Sequence, residues 1–394
     1  MSVASLSMPI IPITDTDTLV LFCKRQKNAK FLTVDTEFMR ERTYYPVLCL
    51  IQIGGPDEAA IIDPMAPNIN LQPLHDLMCD ISILKVFHAA RQDMEIFYYE
   101  MGELPSPIFD TQLAAMVSGF GDQIGYEPLV ARITGVRMNK QSRISDWSRR
   151  PLTPQQLTYA LGDVTHLRPV YEKLNNGLVE SGRSHWLDEE MAVLTAKKTY
   201  SANPSDAWQR IKSRNNEPRF LALLQAVSAW REREAQKRDK PRNRIARDDT
   251  LLDLAGRAPS NFEGLSRTRG LSPNFAKGQS GEILLSAIAE GQSVPECRAP
   301  TKIIKPPLPP GIGPVTELLK VMLKRCSEET GVASKLIASV SELEQIAADD
   351  NADVRTLKGW RKKIFGNQAL ALKRGEISIT IEKNLIKIIP KFTA

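Results

Sequence analysis

Long hydrophobic runs are missing from this 394-residue sequence. Nothing in it approaches the ~20 apolar residues that a membrane-spanning helix needs. The amino-terminal MSVASLSMPIIPITDTDT has no basic segment leading into a long apolar run, which argues against a secretory signal. Cysteine is scarce as well. Cys23, Cys49, Cys79, Cys297 and Cys326 are scattered, odd in number and without any C-x-x-C. That pattern spells neither a disulfide framework nor a zinc site, and fits reduced thiols in the cytoplasm. His75, His88, His166 and His185 show no ligand spacing with them. Glycine-rich phosphate loops of the G-x-G-x-x-G or G-x-x-x-x-G-K-[ST] type are absent, which leaves nucleotide-binding folds unsupported.

What is present divides in two. Hydrophobic residues make up 42% and charged residues 25%, as in an ordinary soluble protein, and the length suits two or three domains. The formal charge of +6 hides an asymmetry: residues 1–200 carry 19 Lys and Arg against 24 Asp and Glu, and residues 201–394 carry 33 against 22. An acidic front half joined to a basic back half suggests one part doing metal chemistry and another holding a polyanion. A solvated basic surface with no partner is the plainer alternative.

Strand and helix signals alternate through the first 175 residues. FLTVDTEF, VLCLIQIG (47–54) and AAIIDP (59–64) follow one another so closely that an antiparallel meander is expected. A helical LQPLHDLMCD, a strand ILKVFHA (83–89), a helix RQDMEIFYYEM and a short IFD come next. TPQQLTYALGDVTHLRPVYEKL (153–174) opens with Thr153 and Pro154, a natural N-cap and first-turn proline. This order predicts an α/β domain over 1–200, a mixed sheet with helices on its faces. From about 205 the strand signal nearly vanishes. PRFLALLQAVSAWREREAQKRDK reads as an amphipathic helix stopped by Pro241, and two all-helical units are expected at 205–298 and 315–394, joined by the proline-rich linker 299–314.

Carboxylates in apolar settings carry the chemistry. In FLTVDTEFMR, Asp35 and Glu37 are two apart on a strand and so emerge on one face among Phe31, Leu32, Val34 and Phe38. An unpaired charge there is costly. Asp93 lies in VFHAARQDMEIF, Asp110 in IFDTQ, and Tyr159 and Asp163 share a helix face four residues apart. Each has a plain reading: a solvent face for D-x-E, a surface position for Asp93, an N-cap for Asp110, a chance spacing for Y-x-x-x-D. For Asp110 the cap reading is preferred over catalysis. His88 reads as a hydrogen-bonded residue near a strand end. The set is more telling than its members, because hard cations such as Mg²⁺ take oxygen ligands and relieve the repulsion of clustered carboxylates. Two such ions can activate water for phosphoryl displacement, with no Ser–His–Asp or Cys–His set required.

In residue type and order the chain resembles the DEDD superfamily of 3′–5′ exonucleases, in the subgroup whose third motif is Y-x-x-x-D, and more closely the ribonuclease D family. VDTEFMRERTYYPVLCLIQIG, VFHAARQDMEIF and QSRISDWSRRPLTPQQLTYALGDVTHL match its three motifs. AWREREAQKRDKPRNRIARDDTLLDLA is similar to the helical HRDC domain shared with RecQ-type helicases, and the helices after the linker look like a divergent second copy. The resemblance implies a ribonuclease H-like exonuclease domain in which Asp35, Glu37, Asp93 and Asp163 ligate two Mg²⁺ or Mn²⁺ ions and Tyr159 orients the attacking water. It also implies stepwise release of 5′-mononucleotides from the 3′ ends of precursor tRNAs, in the cytoplasm.

Substrate contacts are read from charge. Lys140, Arg143, Arg149 and Arg150, shortly before the Tyr159 helix, are candidates to hold phosphates at the 3′ end, against a solvated basic loop. The basic run 231–244 and the late KGWRKK are candidate RNA-backbone contacts, whereas Trp230 and Trp360 read as core. A 3′–5′ DNA exonuclease and an inactive RNA-binding scaffold are the competing readings. The first lacks support from polymerase or helicase motifs, and the second should have lost a carboxylate. Monomer is the default state.

Overall fold

The computed structural model describes residues 10–138, 145–302 and 309–390. Helix α1 (Thr16–Gln26), N-capped by Asp15, leads into the expected meander of β1 (Phe31–Met39), β2 (Val47–Gly54) and β3 (Ala59–Ile62). α2 (Gln72–Cys79), β4 (Leu84–Phe87), α3 (Arg91–Met101), β5 (Ile108–Asp110) and α4 (Thr111–Val117) follow. The sheet order is β3-β2-β1-β4-β5. β2 runs antiparallel to both β1 and β3, while β4 runs parallel to β1 and β5 parallel to β4. Strand β1 is therefore central, and its pairing with β2 slips between Glu37 and Phe38, a bulge beside the acidic pair.

Helices cover both faces of the sheet. On one side α1, α2 and α3 bury Leu19, Phe22, Leu74, Met78, Met94 and Phe97. On the other lie α5 (Tyr126–Thr134), α6 (Pro154–Thr165) and α7 (Leu167–Glu180), while α8 (Asp188–Leu194) packs on β5 and sends Leu194 into the first core. α6 begins with a full capping box, Thr153 with Gln156, and Pro154 at its first position. It packs on β2 through Leu157 and Ala160 against Cys49 and Leu50. Gly54 permits the close approach, since a Cβ there would come within 2.4 Å of Thr33 Oγ1 and 3.1 Å of the Val164 carbonyl.

Next come α9 (Pro218–Lys237), α10 (Arg242–Ile245), α11 (Asp248–Arg257), α12 (Phe262–Ser266), α13 (Pro273–Lys277) and α14 (Gln279–Ser293). They enclose a core of their own around Leu224, Trp230, Leu251 and Leu284, with Trp230 buried as the sequence suggested. The last unit holds α15 (Ile312–Thr330), α16 (Ser334–Ile337) and α17 (Val340–Ala348). α18 (Gly359–Arg361) then passes through a π-helical turn into α19 (Asn367–Lys373). α15 starts inside the stretch expected to be linker, of which residues 303–308 lie outside the described residues.

One feature departs from the sequence reading. Residues 377–390 form not a helix but a hairpin, β6 (Ile377–Glu382) and β7 (Leu385–Pro390). Its β-branched alternation, ISITIE then LIKII, turns at Lys383-Asn384, both with positive φ (48° and 63°), as a two-residue hairpin requires. The last unit packs directly against the α/β domain. Its Leu319, Met322, Ile337 and Phe365 share one core with Ala114, Val117, Leu129 and Val170 of the α/β domain. Trp186 and Trp360 stack across the junction, 4.5 Å between centroids and 3° from parallel. Among the described residues no helix is long and apolar enough to cross a membrane.

Candidate active site

Three separate elements deliver the acidic residues. Asp35 and Glu37 project from β1, and Asp163 from α6. One carboxylate oxygen from each lies within 4.8 Å of the other two. Asp93, in the first turn of α3, borders this trio without joining it at that distance, and its Oδ1 accepts a 2.6 Å hydrogen bond from Thr36 Oγ1. Tyr159, one turn before Asp163 on α6, contributes a hydrogen bond to the Asp163 carboxylate. All but Asp93 line a cavity of about 460 Å³, with His88, Gln92, Tyr126 and Trp147 on its walls.

Neighbouring groups fix these elements. Thr33 Oγ1 donates to the Val164 carbonyl at 2.7 Å, which ties α6 to β1 beside Asp163. The Tyr126 hydroxyl donates to the Gly162 carbonyl at 3.0 Å. Asp110 caps α4 through the Gln112 and Leu113 amides, as the sequence suggested, and does more. Its two oxygens also accept from the Ala89 and Ala90 amides, at 3.1 and 2.9 Å. Ala89 has φ of 60°, a costly conformation for alanine, and Asp110 holds it there so that α3 starts at the right place to present Asp93. His88 is satisfied by Thr111 Oγ1 (3.0 Å) and the Ile124 carbonyl (3.1 Å), which makes it a structural residue.

The electrostatics are those of crowded, desolvated acids. Burial, then repulsion from Asp35, Asp163 and Asp93, pushes Glu37 up to about 10. Burial, then the charge of Glu127, lifts Asp163 to about 8, against the opposing Tyr159 hydrogen bond. Asp35 and Asp93 are raised well above the carboxylate range, each by burial first and by a neighbouring aspartate second. Burial also raises Tyr159, which stays protonated at neutral pH. Asp163 Oδ1 is buried and accepts no hydrogen bond among the described residues. An all-oxygen donor set, mutual repulsion and an orphaned carboxylate oxygen together fit a hard divalent cation.

Comparison with known proteins decides the family. Residues 10–179 match the 3′–5′ exonuclease family model, and residues 220–288 match the HRDC domain model. The ribonuclease D of Nitrobacter hamburgensis is 50% identical over 374 residues, covering 95% of this chain and 98% of that one. The chain belongs to the ribonuclease D family. The ribonuclease D of Granulibacter bethesdensis is 47% identical over 96% of both chains. The crystal structure of Escherichia coli RNase D, described as an exoribonuclease involved in structured RNA processing, superposes with a TM-score of 0.79 at 30% identity, covering 94% of this chain and 99% of that one. With membership come hydrolytic 3′–5′ exoribonuclease activity and the use of divalent cations.

The basic residues expected to meet substrate fare differently from the ribonuclease D motif residues. Lys140 and Arg143 lie outside the described residues. Arg149 is exposed over 84% of its side chain and lines a cavity of about 730 Å³ that shares Ser145 and Tyr159 with the acidic one. Arg150 is engaged internally: it pairs with both oxygens of buried Asp63 at 2.5 and 2.7 Å and donates to the Cys49 carbonyl at 2.8 Å. In the run 231–244, Arg231 pairs with Asp248, Arg238 with Glu234 and Arg242 with Glu232, which leaves Arg233, Lys237, Lys240 and Arg244 exposed. In KGWRKK, Arg361 is buried and bonded to Glu189, Glu190 and the Leu336 carbonyl, so Lys358, Lys362 and Lys363 alone face solvent. Charge runs do not show which cations have partners distant in sequence. Thr36, Tyr126 and Glu127 were not singled out either, since none stands in a motif by itself.

Proposed function

We propose that Asp35, Glu37, Asp93 and Asp163 hold two divalent cations, Mg²⁺ or Mn²⁺, and that the enzyme trims the 3′ ends of precursor tRNAs and other small RNAs in the cytoplasm. The observation that carries the site is the meeting of three carboxylates within 4.8 Å, Asp163 buried and Asp35 and Glu37 partly so, in one cavity. Bound cations supply charge neutralisation and Lewis-acid activation of water for in-line phosphoryl displacement. The chain's own residues do the rest. The four carboxylates fix where the cations and the scissile phosphate sit. Tyr159, kept neutral by burial, has a hydroxyl able to donate and accept, and orients the attacking water. Arg149, exposed on the wall of the larger adjoining cavity, is suited to hold phosphates behind the 3′ end. The precursor-tRNA substrate and the cytoplasmic location rest on family membership, and the chain acts as a monomer.

The test is a nuclease assay on a 3′-extended tRNA with and without chelator, reading product sizes. Stepwise shortening with release of 5′-mononucleotides is expected, abolished by chelator and by Asp163→Asn, with RNA binding by that variant nearly intact. Faster degradation of matched single-stranded DNA than RNA would move the assignment to a DNA exonuclease, and inactivity of the wild type with both metals would leave a scaffold.

A further inference from the structure

The turn that leaves the carboxylate strand is held from outside its own domain. Residues 40–46 join β1 to β2 and start at the rim of the acidic cavity, which Met39 and Glu41 line. Arg40 is tied to α3 by a bidentate pair with Glu95, at 2.7 and 2.8 Å. The far side of the turn is gripped by α9 and the residues that follow it. Asp239 Oδ1 accepts from the backbone amides of Tyr44 and Tyr45, at 2.9 and 3.0 Å. Asp239 itself has φ of 47°, an uncommon conformation for aspartate. The Tyr44 hydroxyl donates to Glu232, and accepts from Arg242 at 2.8 Å and from Gln236 Nε2 at 3.2 Å. Arg242 pairs with both oxygens of Glu232 at 2.5 and 2.6 Å and lies 4.6 Å above the Tyr44 ring. Tyr44 is 5% exposed and Glu232 1%, so this is a buried polar network with its members paired.

The network sits where β1 most needs support. The bulge between Glu37 and Phe38 interrupts the ladder with β2, and only the pairs Phe38–Leu48 and Met39–Val47 register the strand beyond it. What fixes the turn therefore fixes the last residues of β1, and through them Glu37. We propose that Tyr44 is a positioning residue, and that the first helical domain, through the Tyr44–Glu232–Arg242 network and Asp239, sets the end of β1 and so contributes to the chemical step separately from any hold on RNA. The inference rests on the carboxylate pocket being the site of hydrolysis. Small displacements of a reacting group are expensive in rate, on the order of a hundredfold for 1 Å.

A diribonucleotide separates the two roles, since it offers one scissile bond and no upstream chain for the helical domain to hold. The full-length wild type, Tyr44→Phe, Asp239→Ala and Asp239→Asn are compared on it with Mg²⁺, each with a thermal melt. Tyr44→Phe and Asp239→Ala are expected to lower kcat about tenfold with KM unchanged. Asp239→Asn, which keeps a carbonyl acceptor for the two amides, recovers most of the rate. Equal kcat across the four proteins overturns the inference, as does a loss confined to KM for long RNA. If Asp239→Ala melts below the assay temperature, Tyr44→Phe decides, because it removes one hydroxyl and leaves Glu232 paired with Arg242. If the wild type degrades long RNA and spares the diribonucleotide, single-turnover rates on long RNA at saturating enzyme give the same comparison. A wild type inactive on both would overturn the site assignment and this inference with it.

Discussion

Thr36 Oγ1 donates a 2.6 Å hydrogen bond to Asp93 Oδ1, joining the residue between Asp35 and Glu37 to the carboxylate on α3. Asp93 is buried, and this bond opposes the rise that burial and Asp35 impose on it. Hydrogen bonds to charged groups contribute about 1.5–3 kcal/mol. Thr36→Val is therefore expected to lower kcat by about tenfold or more and to raise the Mg²⁺ concentration needed for half-maximal activity, while Thr36→Ser behaves as wild type. A metal titration of activity checks it, and a Thr36→Val curve superposable on the wild type would rule the role out.

The raised acids give metal-free protein a distinctive pH dependence. Asp163 and Glu37 are pushed to about 8 and about 10, so the folded chain binds protons that the unfolded chain has already released. Stability from these protons is complete below the ordinary carboxylate range and is lost as pH rises toward 8 and beyond. The half-buried histidines, lowered by desolvation, act below about pH 6.5, and Lys85, which burial lowers to about 8, opposes the fall only toward the upper end, so the window to read is pH 6.8 to 8. In chelator, the melting temperature is expected to fall across that window. Saturating Mg²⁺ is expected to raise it more at the upper end. A flat or rising profile in chelator would contradict the reading.

Arg149 and Arg150 are adjacent in sequence and are expected to fail differently. Arg149→Ala, at an exposed side chain, should raise KM for RNA and reduce the salt slope by about one unit, with the melt unchanged. Arg150→Ala strands Asp63, which is 6% exposed, and should lower the melting temperature first. Steady-state kinetics at several salt concentrations, alongside melts of both variants, distinguish them.

Arg361 makes a similar point in the last unit. It is 1% exposed, donates to the Leu336 carbonyl at 2.7 Å, and pairs with Glu189 and Glu190 of α8. Arg361→Ala is expected to cost about 1–3 kcal/mol, the range for leaving a buried acceptor, here the Leu336 carbonyl, unpaired, and to leave the salt dependence of RNA binding unaltered. Chemical denaturation gives the first quantity and binding isotherms the second. A reduced salt slope without loss of stability would return Arg361 to the RNA surface.

Much of this was legible in the sequence because the informative signals are local. The D-x-E strand, the Thr153-Pro154 start of α6 and the tight β1–β2–β3 spacing each need only a short window, and the fold places them accordingly. The partners of arginines were not legible. Arg150 finds Asp63 87 residues away, and Arg361 finds Glu189 172 residues away, distances over which no periodicity speaks. The hairpin at 377–390 was a different kind of miss. Its alternation and its Lys-Asn turn were in plain view, but the helical character of the preceding 170 residues outweighed them. Thr36 was hidden by its setting, since a threonine in a strand is ordinary until the helix opposite supplies a carboxylate.

The stacked Trp186 and Trp360, and the common core beneath them, bear on how the protein can be taken apart. Cutting the chain before Ile312 would not release an independent appendage. It would leave Ala114, Val117, Leu129 and Val170 bare, and Glu189 and Glu190 without the Arg361 guanidinium. A nuclease shortened there would tend to stick to itself, and its lost activity would report solubility before it reported anything about RNA.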